Sequence, residues 1–492
     1  MALREGFPAY ADVAVLGAGS AGCVVASRLT EAPGLRCCLV EAGPDYGPYD
    51  EGRWPADILE AGADALASHD WGFAGGVASA RARIVGGCSA INGCGIVWPS
   101  REDLDAWWPE AGWSYDLLEQ YLYRAAAQMR SRRSAPADLE PWRAAFLEAA
   151  HELALASGRA FNDPSAPHGA GLIDLNTLGR VRWNAAFAYL DPARHRRNLA
   201  TTPDTLIDRL VIKGGHATSV KVVRAGVETD LIADTFVLTA GAFASPAILM
   251  RSGVGDADSL TRLGISPILS SPAVGSRLLD HPLVDVPFMP SDRLRSETEE
   301  FLAVGRPAAQ VLLRTEDWAL TLGPWLGPEH AGITVVLSQP EAVGKITITS
   351  ANPTVAPQID HGFRNLTERD LKCLADGVRL ALELGATPPC AELARPQSDL
   401  GSGSTLHDWI RASAVTNHHP AGTCRLGPPD EPSSVVDETG RVPGLDNVYV
   451  MDASIMPSIP RANVHLTVLA VAERLAETLR QRLSSRPAVS GV

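Results

Sequence analysis

The sequence predicts an α/β chain with a parallel sheet flanked by helices in one domain and an antiparallel sheet in a smaller one. Three observations predict it. An apolar, β-favouring run ends at Leu16 and leads into Gly17-Ala18-Gly19-Ser20-Ala21-Gly22 and a helix-like stretch, residues 23–29. A second strand, residues 236–239, runs likewise into a glycine turn and a short helix near Gly241. Between residues 284 and 410 alternation appears, at 333–337 and 345–349, and proline becomes frequent, as in antiparallel strands. At 492 residues the chain is too long for one simple core.

The first glycine stretch has the spacing G-x-G-x-x-G. Gly17 permits the tight turn, Gly19 lets a pyrophosphate approach the backbone, and Gly22 lets the helix pack close to the strand. Phosphates would sit on free N–H groups at the start of that helix. A second apolar strand, residues 35–40, ends in Glu41, about 20 residues on, where the ribose of a dinucleotide needs an acceptor. A glycine turn without a ligand is the plainer reading. Strand, glycines, helix, strand and acid together outweigh it and point to a Rossmann-like nucleotide site.

The bulk properties exclude several functions. A net charge of −14 argues against nucleic acid and against an anionic membrane surface as partners. No run of 18 apolar residues and no leader pattern at residues 1–10 is present, so a cytoplasmic protein without a transmembrane segment is expected. The eight cysteines are scattered without a C-x-x-C pair, reduced thiols are expected, and no metal site is.

In order along the chain, Glu41 is followed by a long irregular stretch to about residue 80 that carries Trp54, Trp71 and Phe73. A loop of that length with aromatics is expected to cover a bound ligand. Residues 83–95, Arg-Ile-Val-Gly-Gly-Cys-Ser-Ala-Ile-Asn-Gly-Cys-Gly, are dense in small residues, which marks close backbone approach. Asn92 there offers both donor and acceptor atoms. Helical spacing over 115–156, with an Arg-rich turn at 130–133, predicts core helices, and 183–190 reads as a further helix. Strands are expected at 205–213, 218–223 and 235–239, a helix at 368–384, a buried strand ending in Asp452, and a last helix at 466–483.

Residues 83–95, continued by Trp-Pro-Ser-Arg-Glu-Asp-Leu-Asp-Ala-Trp at 98–107, resemble the first signature of the glucose–methanol–choline (GMC) oxidoreductases, in its choline-oxidase-type version, which shares Cys88. Residues 241–255 fit the second signature at every specified position, and residues 274–282, ending Leu279-Asp280-His281-Pro282, resemble the family loop that follows. Asp280 and His281 are read as structural. The resemblance implies an FAD-binding domain of residues 1–128, 198–283 and 412–492, and a substrate domain of 129–197 and 284–411. It implies FAD contacts at Gly17, Gly19, Ser20, Ala21, Gly22 and Glu41, then at Gly86, Ser89, Asn92, Gly93 and Ile207, and finally at Asp452 and Ala453. Some members bond FAD covalently through a histidine at the position of Ile91; isoleucine cannot, so FAD is expected to be held non-covalently.

Residues 418–427, His-His-Pro-Ala-Gly-Thr-Cys-Arg-Leu-Gly, resemble the family's catalytic histidine loop and place His419 at the catalytic position, with His418 one residue outside it. His465, just before the final helix, completes a His/His pair of the glucose-oxidase type. Oxidising an alcohol removes the hydroxyl proton and moves the α-hydride to flavin N5. An imidazole, with an ordinary pKa of about 6.5, suits that proton. His419 is expected to be the base and His465 its partner in binding the alkoxide. The expected function is FAD-dependent oxidation of a small-molecule alcohol to an aldehyde or ketone, with oxygen, a quinone or another carrier as acceptor. The alternative is a non-redox member, such as a cyanohydrin lyase or a light-driven fatty-acid decarboxylase.

Overall fold

The computed structural model describes residues 8, 10–63, 65, 67–73, 80–155, 161–162, 168–303, 309–315, 319–327, 329–397 and 404–485. Most of the expected leader-free start and residues 74–79 of the expected covering stretch lie outside these. The elements that position the site are β1 (Tyr10–Leu16), α1 (Ser20–Leu29), β2 (Cys37–Val40), α2 (Tyr115–Gln128), α3 (Pro141–Glu152), β3 (Gly169–Leu172), β4 (Leu199–Thr202), β5 (Thr205–Lys213), β6 (His216–Arg224), β7 (Val227–Leu238) and α4 (Gly241–Arg251). They continue with β8 (Pro282–Pro290), β9 (Val311–Arg314), β10 (Leu320–Leu326), β11 (Ala331–Leu337), α5 (Glu368–Ala386), β12 (Ala394–Pro396), β13 (Val448–Val450) and α6 (Val464–Ser484).

The first sheet runs β5-β6-β7-β1-β2-β4, with β13 also on β7. Strand β7 joins two kinds of pairing. Its first half pairs antiparallel with β6, while its second half pairs parallel with β1 on one edge and β13 on the other. It begins at Val227, earlier than the expected 235, because its first half is partly exposed and polar and hides the strand from an apolar count. Every residue of β2 is buried, as in a sheet covered on both faces. Helix α1 packs against α6, and the two are tied by Arg28, whose guanidinium meets the fully buried Glu473 carboxylate at 2.7 and 2.8 Å.

The second sheet is antiparallel, in the order β12-β8-β11-β10-β9-β3. Val286, Phe288, Ile333 and Val335 form its core with Trp142 and Phe146 of α3 and Leu374 and Val378 of α5. The fold is therefore the expected one, mixed α/β with a parallel-containing sheet and a separate antiparallel sheet. Within residues 129–197 the cores divide: Trp142–Ala150 contribute to the second core, whereas Trp183 and Ala185–Leu190 pack in the first. Lys345–Thr347 does not join the second sheet. It pairs with Gln358–Asp360 as a separate ribbon, because Ile346 and Ile359 bury against Ala242, Phe243 and Leu278 instead. That docking brings the intervening loop to the cleft described next.

Candidate active site

A cleft of about 800 Å³ is lined by the first glycine loop, Glu41, residues 87–89 and 91–95, the start of α4, residues 353–357, residues 417–420, Asp452, and the start of α6. That volume lies within the ~300–1,000 Å³ of ligand pockets.

On the glycine side, sterics dictate the sequence. A Cβ on Gly22 would lie 1.8 Å from the Gly17 carbonyl oxygen, and one on Gly17 2.7 Å from that of Thr239. Gly19 differs, since the nearest atom to its Cβ position is Gly87 Cα at 3.9 Å, leaving its free face toward the cleft. It stands at the start of α1 with no side-chain cap, so the first N–H groups of the helix are available to an anion. The Glu41 carboxylate accepts from the N–H of Ala18 and of Gly43, both at 2.9 Å. Burial pushes its pKa up to about 7 against those bonds. An open glycine, an uncapped helix start and a buried carboxylate facing one cleft fit a dinucleotide.

Asp452, two residues beyond β13, clamps the start of α4. It accepts from the Gly241 N–H at 2.8 Å and the Ser245 hydroxyl at 2.6 Å, and from the N–H and hydroxyl of Ser454 at 2.8 and 2.5 Å. Of the residues expected at FAD, Gly17, Gly19, Ser20, Ala21, Glu41, Ser89, Asn92, Gly93, Ile207, Asp452 and Ala453 line the cleft. Gly22 and Gly86 do not: the first seats α1, and the second donates its N–H to the Ala18 carbonyl at 2.8 Å, joining the two glycine loops. Ile91 lines the cleft and brings no nucleophile.

On the histidine side, His419 and His465 line the same cleft, with Asn417 and Asn463. Among the described residues neither ring nitrogen of His465 has a hydrogen-bond partner, and burial pulls its pKa down to about 4. His419 is also held well below the ordinary value, by burial and then by the neighbouring His281. Both rings are thus neutral near pH 7, as a general base must be. Behind them Asp280, 1% exposed, accepts from the N–H of His281 at 2.8 Å and of His419 at 3.0 Å, and from the Thr416 hydroxyl at 2.6 Å; His361 Nδ1 lies 3.0 Å away. Burial works to raise the pKa of Asp280, but those bonds outweigh it and hold it at about 2. Cys94 and His418, both in the lining, have left-handed backbone (φ 60° each), the kind of strain that gathers at functional sites.

The sequence reading missed Arg81 and Arg83, which line the cleft above the Phe243 and Trp71 rings. It also missed the 353–357 loop and the contact of His281 with His419. The alternating Arg-Ala-Arg ahead of the glycines was a signal for the first; nothing local announces the others.

Comparison with known proteins agrees with this geometry. Residues 11–283 match the N-terminal and residues 340–472 the C-terminal GMC oxidoreductase family model. The chain is 31% identical to a GMC-type oxidoreductase of Rhodococcus erythropolis, covering 96% of this chain and 98% of the relative. It is 30% identical to human mitochondrial choline dehydrogenase, covering 95% and 89%. Pyridoxine 4-oxidase from Mesorbium loti superposes with a TM-score of 0.82 at 26% identity, covering 96% and 99%. The non-redox alternative is not favoured by these relatives, and among the described residues no helix is long and apolar enough to cross a membrane. The chain belongs to the GMC oxidoreductase family and is an FAD-dependent oxidoreductase.

Proposed function

We propose that this enzyme oxidises a small-molecule alcohol to an aldehyde or ketone with His419 as the base that takes the hydroxyl proton. Bound FAD supplies the hydride acceptor. The observation that carries the reading is the pair of neutral imidazoles, His419 and His465, in one cleft that also holds an uncapped helix start and a buried acceptor for a dinucleotide. His465 donates the N–H of its neutral ring to the alcohol oxygen and steadies the alkoxide as the proton leaves. The first turn of α6, with no side-chain cap at Asn463, adds its partial positive charge on the same wall.

Gly19 and the start of α1 hold the pyrophosphate, and Glu41 accepts from a ribose hydroxyl. Asn92, Gly93, Asp452 and Ala453 flank the remainder of FAD, which is held non-covalently because Ile91 stands at the attachment position. The chain divides into a cofactor part, residues 1–128, 198–283 and 412–492, and a substrate part, 129–197 and 284–411, with Trp183–Leu190 packed on the former. Oxygen, a quinone or another carrier takes the electrons, and the enzyme works in the cytoplasm. The test is an anaerobic screen of alcohols, amino alcohols and sugars, read as loss of flavin absorbance. Bleaching by an alcohol supports the reading; no bleaching by any, with turnover of a cyanohydrin or activity under blue light, overturns it. Peroxide release measured against dye reduction then identifies the acceptor.

A further inference from the structure

His281 lies where two backbone segments are zipped together. Leu279 and Ala421 exchange backbone hydrogen bonds at 2.9 and 2.8 Å, and the Asn417 N–H donates to the His281 carbonyl at 2.9 Å. Beyond them Pro282–Leu283 pairs with Val415–Thr416. Asp280 accepts from the N–H of both His281 and His419. The two imidazoles are therefore placed by main chain. They meet Nδ1 to Nδ1 at 2.9 Å with ring planes 88° apart, and His281 is 2% exposed.

A nitrogen-to-nitrogen contact of that length holds one proton, so one Nδ1 donates and the other accepts. Two neutral imidazoles joined in this way take opposite tautomers. The nitrogen of His419 that this contact leaves over is Nε2. A His419 that acts as the base there must carry its proton on Nδ1, which gives His281 the opposite tautomer, protonated on Nε2. Its Nδ1 is then the acceptor, His419 donates from Nδ1, and the lone pair of His419 sits on Nε2. The Asn417 amide nitrogen, a donor, stands 3.3 Å from His419 Nδ1, and a proton on that Nδ1 requires the amide to present Oδ1 there instead.

We propose that His281 is a positioning residue that fixes His419 in the tautomer able to accept a proton at Nε2. The inference rests on the reading of His419 as the base. As the hydroxyl O–H bond breaks, its electron pair stays on the alcohol oxygen and the proton goes to His419 Nε2. The Nδ1–H···Nδ1 bond to His281 then becomes charge-assisted and roughly doubles in strength. A carboxylate behind a histidine does the same work with a fixed charge; here a second neutral imidazole does it by tautomer alone.

Two variants and one spectrum test this on the FAD-loaded enzyme. His281→Phe keeps the bulk without an acceptor, and His281→Asn returns an acceptor oxygen near the place of Nδ1. At saturating alcohol, His281→Phe is expected to slow anaerobic flavin bleaching about 100-fold with the apparent Kd for alcohol within about threefold, and His281→Asn to recover to within about tenfold of wild type. In ¹⁵N-histidine-labelled wild type, the signals lost in His419→Asn are expected to report a protonated Nδ1 and a bare Nε2. A His419 protonated on Nε2 in wild type overturns the proposal, as does a folded, flavin-loaded His281→Phe that bleaches within about threefold of wild type. If His281→Phe does not fold, the wild-type spectrum decides. A wild-type enzyme that no alcohol bleaches would break the functional reading, while the tautomer would still be read from the spectrum, so the two failures are told apart.

Discussion

The two sides of the cleft are made in opposite ways. The glycine side comes from residues close in sequence, Gly17 to Gly22 and Glu41, of which Gly17, Gly22 and Glu41 each answer a steric or hydrogen-bonding demand at that spot. The histidine side comes from residues 280–281, 417–419 and 463–465, which meet only through tertiary pairing. On the first side the backbone itself faces the cleft, so sterics set the residue type. On the second, side chains face it, and their context is assembled from far away.

The contrast can be broken from either side. The largest effect is expected for Gly22→Val. A Cβ 1.8 Å from the Gly17 carbonyl oxygen drives α1 off β1, and overpacking of this kind costs at least about 1–3 kcal/mol. The protein should emerge from gel filtration colourless or aggregated. Asp280→Asn comes next. An amide keeps one acceptor oxygen for the His281 and His419 N–H groups but sets an NH₂ against the Thr416 hydroxyl and His361, which face the other carboxylate oxygen, so denaturant melts should show a loss of about 1–3 kcal/mol. Glu41→Gln should weaken FAD binding about tenfold to 100-fold in a fluorescence titration, following the ~1.5–3 kcal/mol of a charged hydrogen bond. The bleaching rate of the loaded variant should be unchanged.

The smallest effect is on pH dependence in the flavin-free protein, where the two sides have opposite signs. His281 and His465 stand at about 4 against an ordinary 6.5, so the unfolded chain takes protons first and stability falls as pH drops from about 6.5 to 4. Asp280, at about 2 against 3.8, extends that loss at still lower pH. Glu41, at about 7 against 4.5, keeps a proton that the unfolded chain releases, so its contribution falls as pH rises from 4.5 to 7. Melting temperatures across this range should show a flatter acid limb in His465→Asn and a flatter neutral limb in Glu41→Gln. Variants that changed neither limb would refute these burial effects.

What the sequence discloses follows the same division. The strand–glycine–helix unit and its acid are legible because each residue answers a local demand. The second sheet is legible as a class from its alternation, but not in membership. Gly169–Leu172 joins its edge from far upstream, and Lys345–Thr347 leaves it for a separate ribbon. His419 and His465 are legible through the resemblance of their loops, not through any pattern in their own spacing. The contact of His281 with His419 was missed because Asp280 and His281 read as structural until the 415–421 segment is laid against them.

The account turns on His419 as the base. The most direct measurement mixes FAD-loaded His419→Asn anaerobically with an alcohol that bleaches wild type and follows flavin absorbance in a single turnover. A fall of about 10²- to 10⁴-fold in the bleaching rate, with flavin still bound, is the expected result. Bleaching within about threefold of wild type would contradict it and send the search for the base elsewhere along the cleft.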